Sequence, residues 1–238
     1  MVTDRKPIKE LVSILLVLTG SIHFLNGQIP RITSGRELIN HMHSNPAYIS
    51  SRMNRHHDIE GSPYLTEEFV RGAIFYNRTK YVDLDLRYNY YQGYFEFRDN
   101  DRIQYFPSDL IRPDTVWAGE DIFLYVDYLE GKRTKQAFMQ LLDNRKIEVL
   151  LFKEVILIEA EPAAGYQEAT PARFEATGEM IFLRREGQPA VAFRGRKSIR
   201  DLFPDHQKEL LNYAKEEKLR LKNPDGIIRL CRYFESLD

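Results

Sequence analysis

The stretch Val82-Asp83-Leu84-Asp85-Leu86-Arg87-Tyr88-Asn89-Tyr90 decides the fold class, because apolar and polar residues alternate through it without a break. Val82, Leu84, Leu86, Tyr88 and Tyr90 fall on one side, and Asp83, Asp85, Arg87 and Asn89 on the other. Successive side chains of a strand point to opposite faces, so the pattern predicts an antiparallel strand with one buried and one wet face. The same period recurs outward from it at residues 69–76, 94–98, 103–106 and 122–129. Turn formers separate these runs at Asn77-Arg78, Asp99-Asn100-Asp101 and Ala118-Gly119-Glu120-Asp121.

Further along, residues 135–142 and 146–158 flank Asp143-Asn144-Arg145 as a longer hairpin. Residues 180–185 and 190–193 flank Glu186-Gly187-Gln188-Pro189 as another. Between the two hairpins, Glu161-Pro162-Ala163-Ala164-Gly165 and Thr170-Pro171 break the period and read as a surface linker near 160–173. After residue 198 the signal turns helical. Ser198 with Asp201 three residues later resembles a capping box, Pro204 opens a further helix, and Asn223-Pro224-Asp225 opens the last. Ile227, Leu230, Cys231, Phe234 and Leu237 form one stripe of that last helix, which must dock on something. The fold expected is mainly β, α+β overall: an antiparallel meander forming a sandwich or a partly open barrel, with a C-terminal pair of amphipathic helices.

The N-terminal end has a different character. Arg5, Lys6 and Lys9 precede the run Leu11-Val12-Ser13-Ile14-Leu15-Leu16-Val17-Leu18, which is too short for a permanent bilayer span. Small and polar residues follow, up to Asn26-Gly27-Gln28, so residues 1–27 read as a signal peptide. The expected organisation is a signal at 1–27, an irregular arm at 28–63 in which Ser34 caps a short helix, a β-rich domain at 64–194 and a helical segment at 198–238. Processing at Gly27 leaves 211 residues with 31 basic and 33 acidic side chains, a balance without the basic stripe that nucleic-acid binding needs. Cys231 is the one cysteine, so the chain has no internal disulfide, and no cysteine follows the apolar run to carry a lipid. No second long apolar run exists, so no integral span is expected after processing. The expected location is the periplasm or the outer-membrane periphery.

Candidate chemistry is sparse. His41, His43, His56 and His57 lie within 17 residues, near Asp58 and Glu60, and imidazole with carboxylate is a metal-ligand set. They sit in the segment with the least secondary structure, whereas a metal site needs a rigid, supported scaffold. A polar arm outweighs a metal site there, and no cofactor is assigned. Asp83 and Asp85 share a strand face at about 7 Å, a separation used by paired acids, but Arg87 continues that face as in an ordinary charged stripe. Aromatic density is the stronger signal, with 13 Tyr and Phe between Tyr64 and Phe106. Tyr88 and Tyr90 continue the apolar stripe and read as structural. Tyr91 and Tyr94, beside a potential bulge at Gly93, are the candidate ligand-binding residues. No nucleophile elbow, phosphate-binding loop, zinc-protease helix or Cys pair is present.

Gly61-Ser62-Pro63-Tyr64-Leu65, Leu86-Arg87-Tyr88-Asn89, Ala172-Arg173-Phe174, Asp201-Leu202-Phe203-Pro204-Asp205 and Tyr233-Phe234-Glu235-Ser236-Leu237 together resemble elements of a family of uncharacterised exported proteins of Bacteroidota-type bacteria. The resemblance implies an envelope location and brings no activity or catalytic residue with it. The functional expectation is therefore a non-enzymatic binding or structural module that holds an envelope protein, a glycan or an apolar ligand through its sheet. A hydrolase using Asp83, Asp85, Glu120 or Asp127 is the first alternative, and an outer-membrane-associated β-barrel the second.

Overall fold

The structure, a computed structural model, describes residues 30–44, 59–106, 111–163 and 168–237. In chain order the elements are β1 (Arg31–Ser34), α1 (Gly35–Ser44), β2 (Val70–Tyr76), β3 (Thr79–Asn89), β4 (Tyr94–Asp99), β5 (Arg102–Tyr105), β6 (Thr115–Ala118) and β7 (Asp121–Glu130). They continue with β8 (Arg133–Asp143), β9 (Ile147–Ile158), β10 (Arg173–Arg185), β11 (Val191–Ala192), α2 (Arg196–Leu202), α3 (Gln207–Glu216) and α4 (Pro224–Glu235). The architecture is mainly antiparallel β, a curled half-barrel sheet with helices α2–α4 at its C-terminal end. Its strand order is β11-β10-β9-β8-β7-β6-β2-β3-β4-β5, and β1 lies parallel to the first half of β3.

The alternation that predicted β3 is interrupted once. Between the pairs Gly72↔Leu84 and Ile74↔Tyr81, β3 carries one residue more than β2, and Asp83 takes φ +62°. This bulge bends the sheet where it begins to curl. Gly72 permits the same curl from the other side, since a Cβ there would meet the Trp117 carbonyl oxygen at 2.1 Å. Residues 31–44, expected as an irregular arm but for a short helix capped by Ser34, form β1 and α1, and the Ser34 Oγ accepts from the Arg36 N–H at 3.2 Å at the start of that helix. The α1 side chains Leu38, Ile39 and Met42 join Leu84, Leu86, Tyr88, Phe95 and Phe97 in the first core cluster. Arg36 (Nη1 to Asp99 Oδ1, 2.9 Å) and His43 (Nε2 to Asp99 Oδ2, 3.5 Å) pin α1 to β4.

Directly opposed residues share a sheet face, so Tyr125↔Phe138, Gln140↔Leu151, Leu151↔Ile181 and Val149↔Leu183 place the first core on the same face as the docking site for the C-terminal helices. There Ile147, Val149, Leu151, Ile181 and Leu183 meet Ile199, Phe203, Leu210, Ile227, Leu230 and Cys231. The three helix starts read in the C-terminal segment become three helices, and all three, not an amphipathic pair alone, belong to this cluster. Ser198 does not cap α2 as the capping-box spacing suggested. It lies inside the helix, and its Oγ accepts a hydrogen bond from the Arg194 N–H at 2.6 Å.

The opposite face of β7–β11 buries a third cluster: Val126, Met139, Leu150, Phe182 and Ala190. It is enclosed because the end of the sheet turns back on its middle. Ala190 N donates to Asp127 O at 2.7 Å, and Leu129 N donates to Ala190 O at 2.9 Å. β10 begins at Arg173, earlier than the expected 180–185, and the breaker segment is clipped by paired Glu161–Thr170 backbone bonds of 2.9 Å. β6 is a further strand that its four residues did not announce.

Candidate functional site

A split in the sheet creates the site. β8 and β9 pair only from Gln140↔Leu151 to Asp143↔Val149, with an irregularity between Leu141 and Asp143. Beyond that, β8 stays with β7 as far as Glu130↔Arg133, while β9 follows β10 to Ile158↔Arg173. The β3–β4 hairpin enters beside the diverging β9, where Val155 N donates to Tyr90 O at 3.4 Å. Gly93 closes this hairpin at φ +72°, a conformation that suits a residue without Cβ.

Between hairpin, β8 and β9 lies a cavity of about 320 Å³. Its deep side is apolar and aromatic: Tyr88, Phe95, Phe106, Ile111 and Phe138, all buried. Tyr90, Tyr125, Tyr128 and Phe152 add to the wall, and the charged residues lining it are Arg112, Lys153 and Glu154. The rings pack edge-on, with Tyr88 against Tyr90 at 4.6 Å and Phe138 at 6.0 Å between centroids. Such offset geometry suits aromatic quadrupoles. Lys153 is paired with Glu179 at 2.8 Å, and Arg112 Nη1 donates to Gln136 Oε1 at 3.4 Å.

Burial pushes the Tyr88 hydroxyl well above its ordinary pKa, reinforced by the nearby Tyr90 and Tyr125 hydroxyls. Burial also raises Tyr90 to about 12, with Asp121 and Glu179 contributing. The Tyr88 and Tyr90 phenols are thus neutral hydrogen-bond donors across the physiological range.

The two ligand-binding candidates both border this cavity. Tyr91 sits in the hairpin turn with its ring 5.1 Å from Phe174. Tyr94 is directed differently: alternation along β4 puts it on the Glu96 face, where it stacks on Tyr105 at 4.7 Å. Burial, then Glu96, raises its pKa to about 12. Tyr88 and Tyr90, read as structural, line the same cavity. Sequence reasoning missed Tyr125, Phe138 and Phe152, whose even spacing marked them only as strand residues.

A second polar constellation lies on the other side of β3 and β4, which was expected to be wet. Arg87 and Asn89 are buried there, and Glu96 is 1% exposed. The Glu96 carboxylate accepts from Arg87 Nη2 at 2.6 Å, Arg87 Nε at 3.1 Å, the Tyr64 hydroxyl at 2.8 Å and Asn89 Nδ2 at 3.2 Å. The Arg87 guanidinium lies between the rings of Tyr64 (3.7 Å) and Phe69 (4.5 Å) and donates to the Glu67 carbonyl at 3.0 Å. The segment that covers it is anchored at both ends. Glu60 exchanges backbone bonds with Ala172 and Phe174, and Pro63 O accepts from Tyr90 N and Tyr91 N. The expectation of a fully solvated face fails because residues 60–69 strap over it and bring their own aromatic cover.

The carboxylates considered for hydrolysis do not converge. Asp83 and Asp85 both face Arg71, at 3.6 and 3.2 Å, on an exposed surface. Glu120 lies exposed in the β6–β7 turn, and exposed Asp127 accepts from Gln136 at 2.8 Å. Of the histidines, His43 is engaged by Asp99 and by Gln104 at 3.1 Å, and His41 is exposed one turn from the end of α1. His56 and His57 lie outside the described residues. Among the described residues no group of three or more His, Cys, Asp or Glu is placed to hold a metal, and no helix is long and apolar enough to cross a membrane. No protein-family model, curated protein or solved structure matches the chain.

Proposed function

We propose that the protein is an exported binding module that holds a small ligand with an apolar or aromatic body in the cavity between the β3–β4 hairpin, β8 and β9. The observation that carries this reading is the split between β8 and β9, which opens about 320 Å³ onto buried rings where a continuous ladder would have closed the core. That volume falls at the lower end of ligand pockets and equals the share of about ten waters. A glycan asks for many hydrogen-bonding groups around an exposed stacking face. Here the rings available lie on the deep, buried side of the cavity, and Tyr94 already has Tyr105 as its stacking partner. Glu154 is the single carboxylate among the described residues lining the cavity, whereas acid–base hydrolysis of the glycosidase kind uses two. The binding reading is therefore favoured over the hydrolase. The cover of one sheet face by α2–α4 and of another by residues 60–69 favours it over a membrane-embedded barrel. The signal-like residues 1–27 and the resemblance to exported proteins support an envelope location.

The test is fluorescence titration of the purified protein with N-phenyl-1-naphthylamine, a neutral apolar probe. Saturable binding at one site is expected, and Ala137→Trp, which fills the cavity from β8, is expected to abolish it. Absence of saturable binding, or binding indifferent to Ala137→Trp, refutes the proposal.

A further inference from the structure

The Tyr88 hydroxyl is placed unlike the other buried polar groups of the chain. Tyr88 is 8% exposed, yet its hydroxyl forms no hydrogen bond among the described residues. Every fully enclosed side-chain oxygen or nitrogen there does have a partner. The hydroxyl must therefore touch open space, and the space that Tyr88 borders is the tyrosine-lined cavity. Tyr90 and Tyr125, whose hydroxyls act electrostatically on that of Tyr88, border the same space. A buried donor without a protein acceptor is costly unless something in the cavity accepts from it. Three phenol groups around one space fit an oxygen acceptor better than a donor.

Among the described residues two cations and one anion complete the lining. Arg112 lies with its guanidinium 6.0 Å from the Tyr125 ring centre, and Lys153 is shared with Glu179. Glu154 acts on the hydroxyls of both Tyr88 and Tyr128. A ligand with one negative charge gains from Arg112, whereas a second negative charge meets Glu154.

We infer that the cavity recognises a small monocarboxylate, its apolar body against Phe95, Phe106 and Phe138 and its carboxylate accepting a hydrogen bond from Tyr88 beside Arg112. This deepens the proposed function and rests on it.

The experiment measures displacement of bound N-phenyl-1-naphthylamine by octanoate and by 1-octanol, in the wild-type protein and in Tyr88→Phe. Octanoate is expected to compete at least about tenfold more strongly than octanol, as hydrogen bonds to a charged group allow. In Tyr88→Phe that ratio is expected to fall toward one, while thermal unfolding is unchanged because the lost hydroxyl had no protein partner. Equal competition by octanoate and octanol in the wild type overturns the inference and leaves the binding module standing. So does a ratio that Tyr88→Phe leaves intact. Failure of the probe itself to bind removes the proposed function instead. Should Tyr88→Phe not fold, the wild-type ratio decides alone.

Discussion

Replacing Glu96 with Leu tests whether residues 60–69 are held by a buried charge cluster or merely lie over it. Glu96 is 1% and Arg87 9% exposed, and their 2.6 Å contact has no solvent to replace it. Glu96→Leu leaves the Arg87 charge enclosed between the rings of Tyr64 and Phe69 with only the exposed Glu67 carboxylate, 3.6 Å away, as counterion, and it also removes the acceptor of the Tyr64 hydroxyl. Breaking one side of a buried pair costs about 3–5 kcal/mol. For a chain of this size that corresponds to a melting temperature lower by roughly 6–20 °C. The second half of the reasoning concerns the double variant Arg87→Met/Glu96→Leu, which removes both charges and keeps the volume apolar. It is expected to regain most of the loss, because the penalty belongs to the uncompensated charge and not to the absence of the pair. Guanidinium denaturation followed by circular dichroism measures the wild type, the two single variants Glu96→Leu and Arg87→Met, and the double variant. A Glu96→Leu cost below about 1 kcal/mol, or a double variant as unstable as the sum of its singles, refutes the argument.

Other outcomes follow from separate parts of the molecule. Tyr90 and Tyr94 have folded pKa values of about 12, raised by burial, against about 10 in an unfolded chain. The unfolded state then binds fewer protons between those values, so stability is complete below pH 10 and falls as pH rises toward 12. Ultraviolet titration of tyrosinate should show a late fraction of the tyrosine signal appearing together with alkaline unfolding, and ionisation of every tyrosine near pH 10 with the fold intact contradicts it. Cys231 is buried and its thiol is raised to about 12, chiefly by burial, so an aromatic disulfide reagent should label it only after denaturation. Prompt labelling of the native protein means that α4 does not dock as described. Gly72→Ala forces a methyl against the Trp117 carbonyl and should destabilise by more than about 2 kcal/mol through loss of the β2–β6 ladder. An unchanged unfolding midpoint counts against that close approach.

Much of the sheet was legible because period two is a local signal. The run around Leu84–Tyr90, the β7 alternation and the β8–β9 hairpin each show their buried face in the order of their own residues. Short or atypical pieces were not legible. β6 has four residues, and β1 is held by pairing with β3 more than forty residues away, whereas the helix after it was announced by Ser34. The first half of β10 carries Glu175, Thr177, Gly178 and Glu179, whose exposure on an edge of the sheet leaves no alternation to read. Ser198 misled because spacing alone cannot tell a cap from a residue one turn inside a helix whose hydroxyl serves the chain before it. The candidate site was legible only as a density of aromatics: the pair chosen from it, Tyr91 and Tyr94, borders the cavity but leaves out Tyr88, Tyr90 and Tyr125, which line it too.

By itself the sequence determined that this chain makes alternating strands followed by amphipathic helices, because hydrophobic periodicity is set within each element. It also fixed the lack of an internal disulfide and the near balance of charge. Tertiary structure alone decided which polar residues would be buried and where the sheet would open. Arg87 and Glu96 look like surface charges until residues 60–69 fold across them, and Tyr88 looks like a core residue until β8 leaves β9. Both outcomes depend on contacts between segments far apart in the chain, and a face reads as wet or dry only once its cover is known.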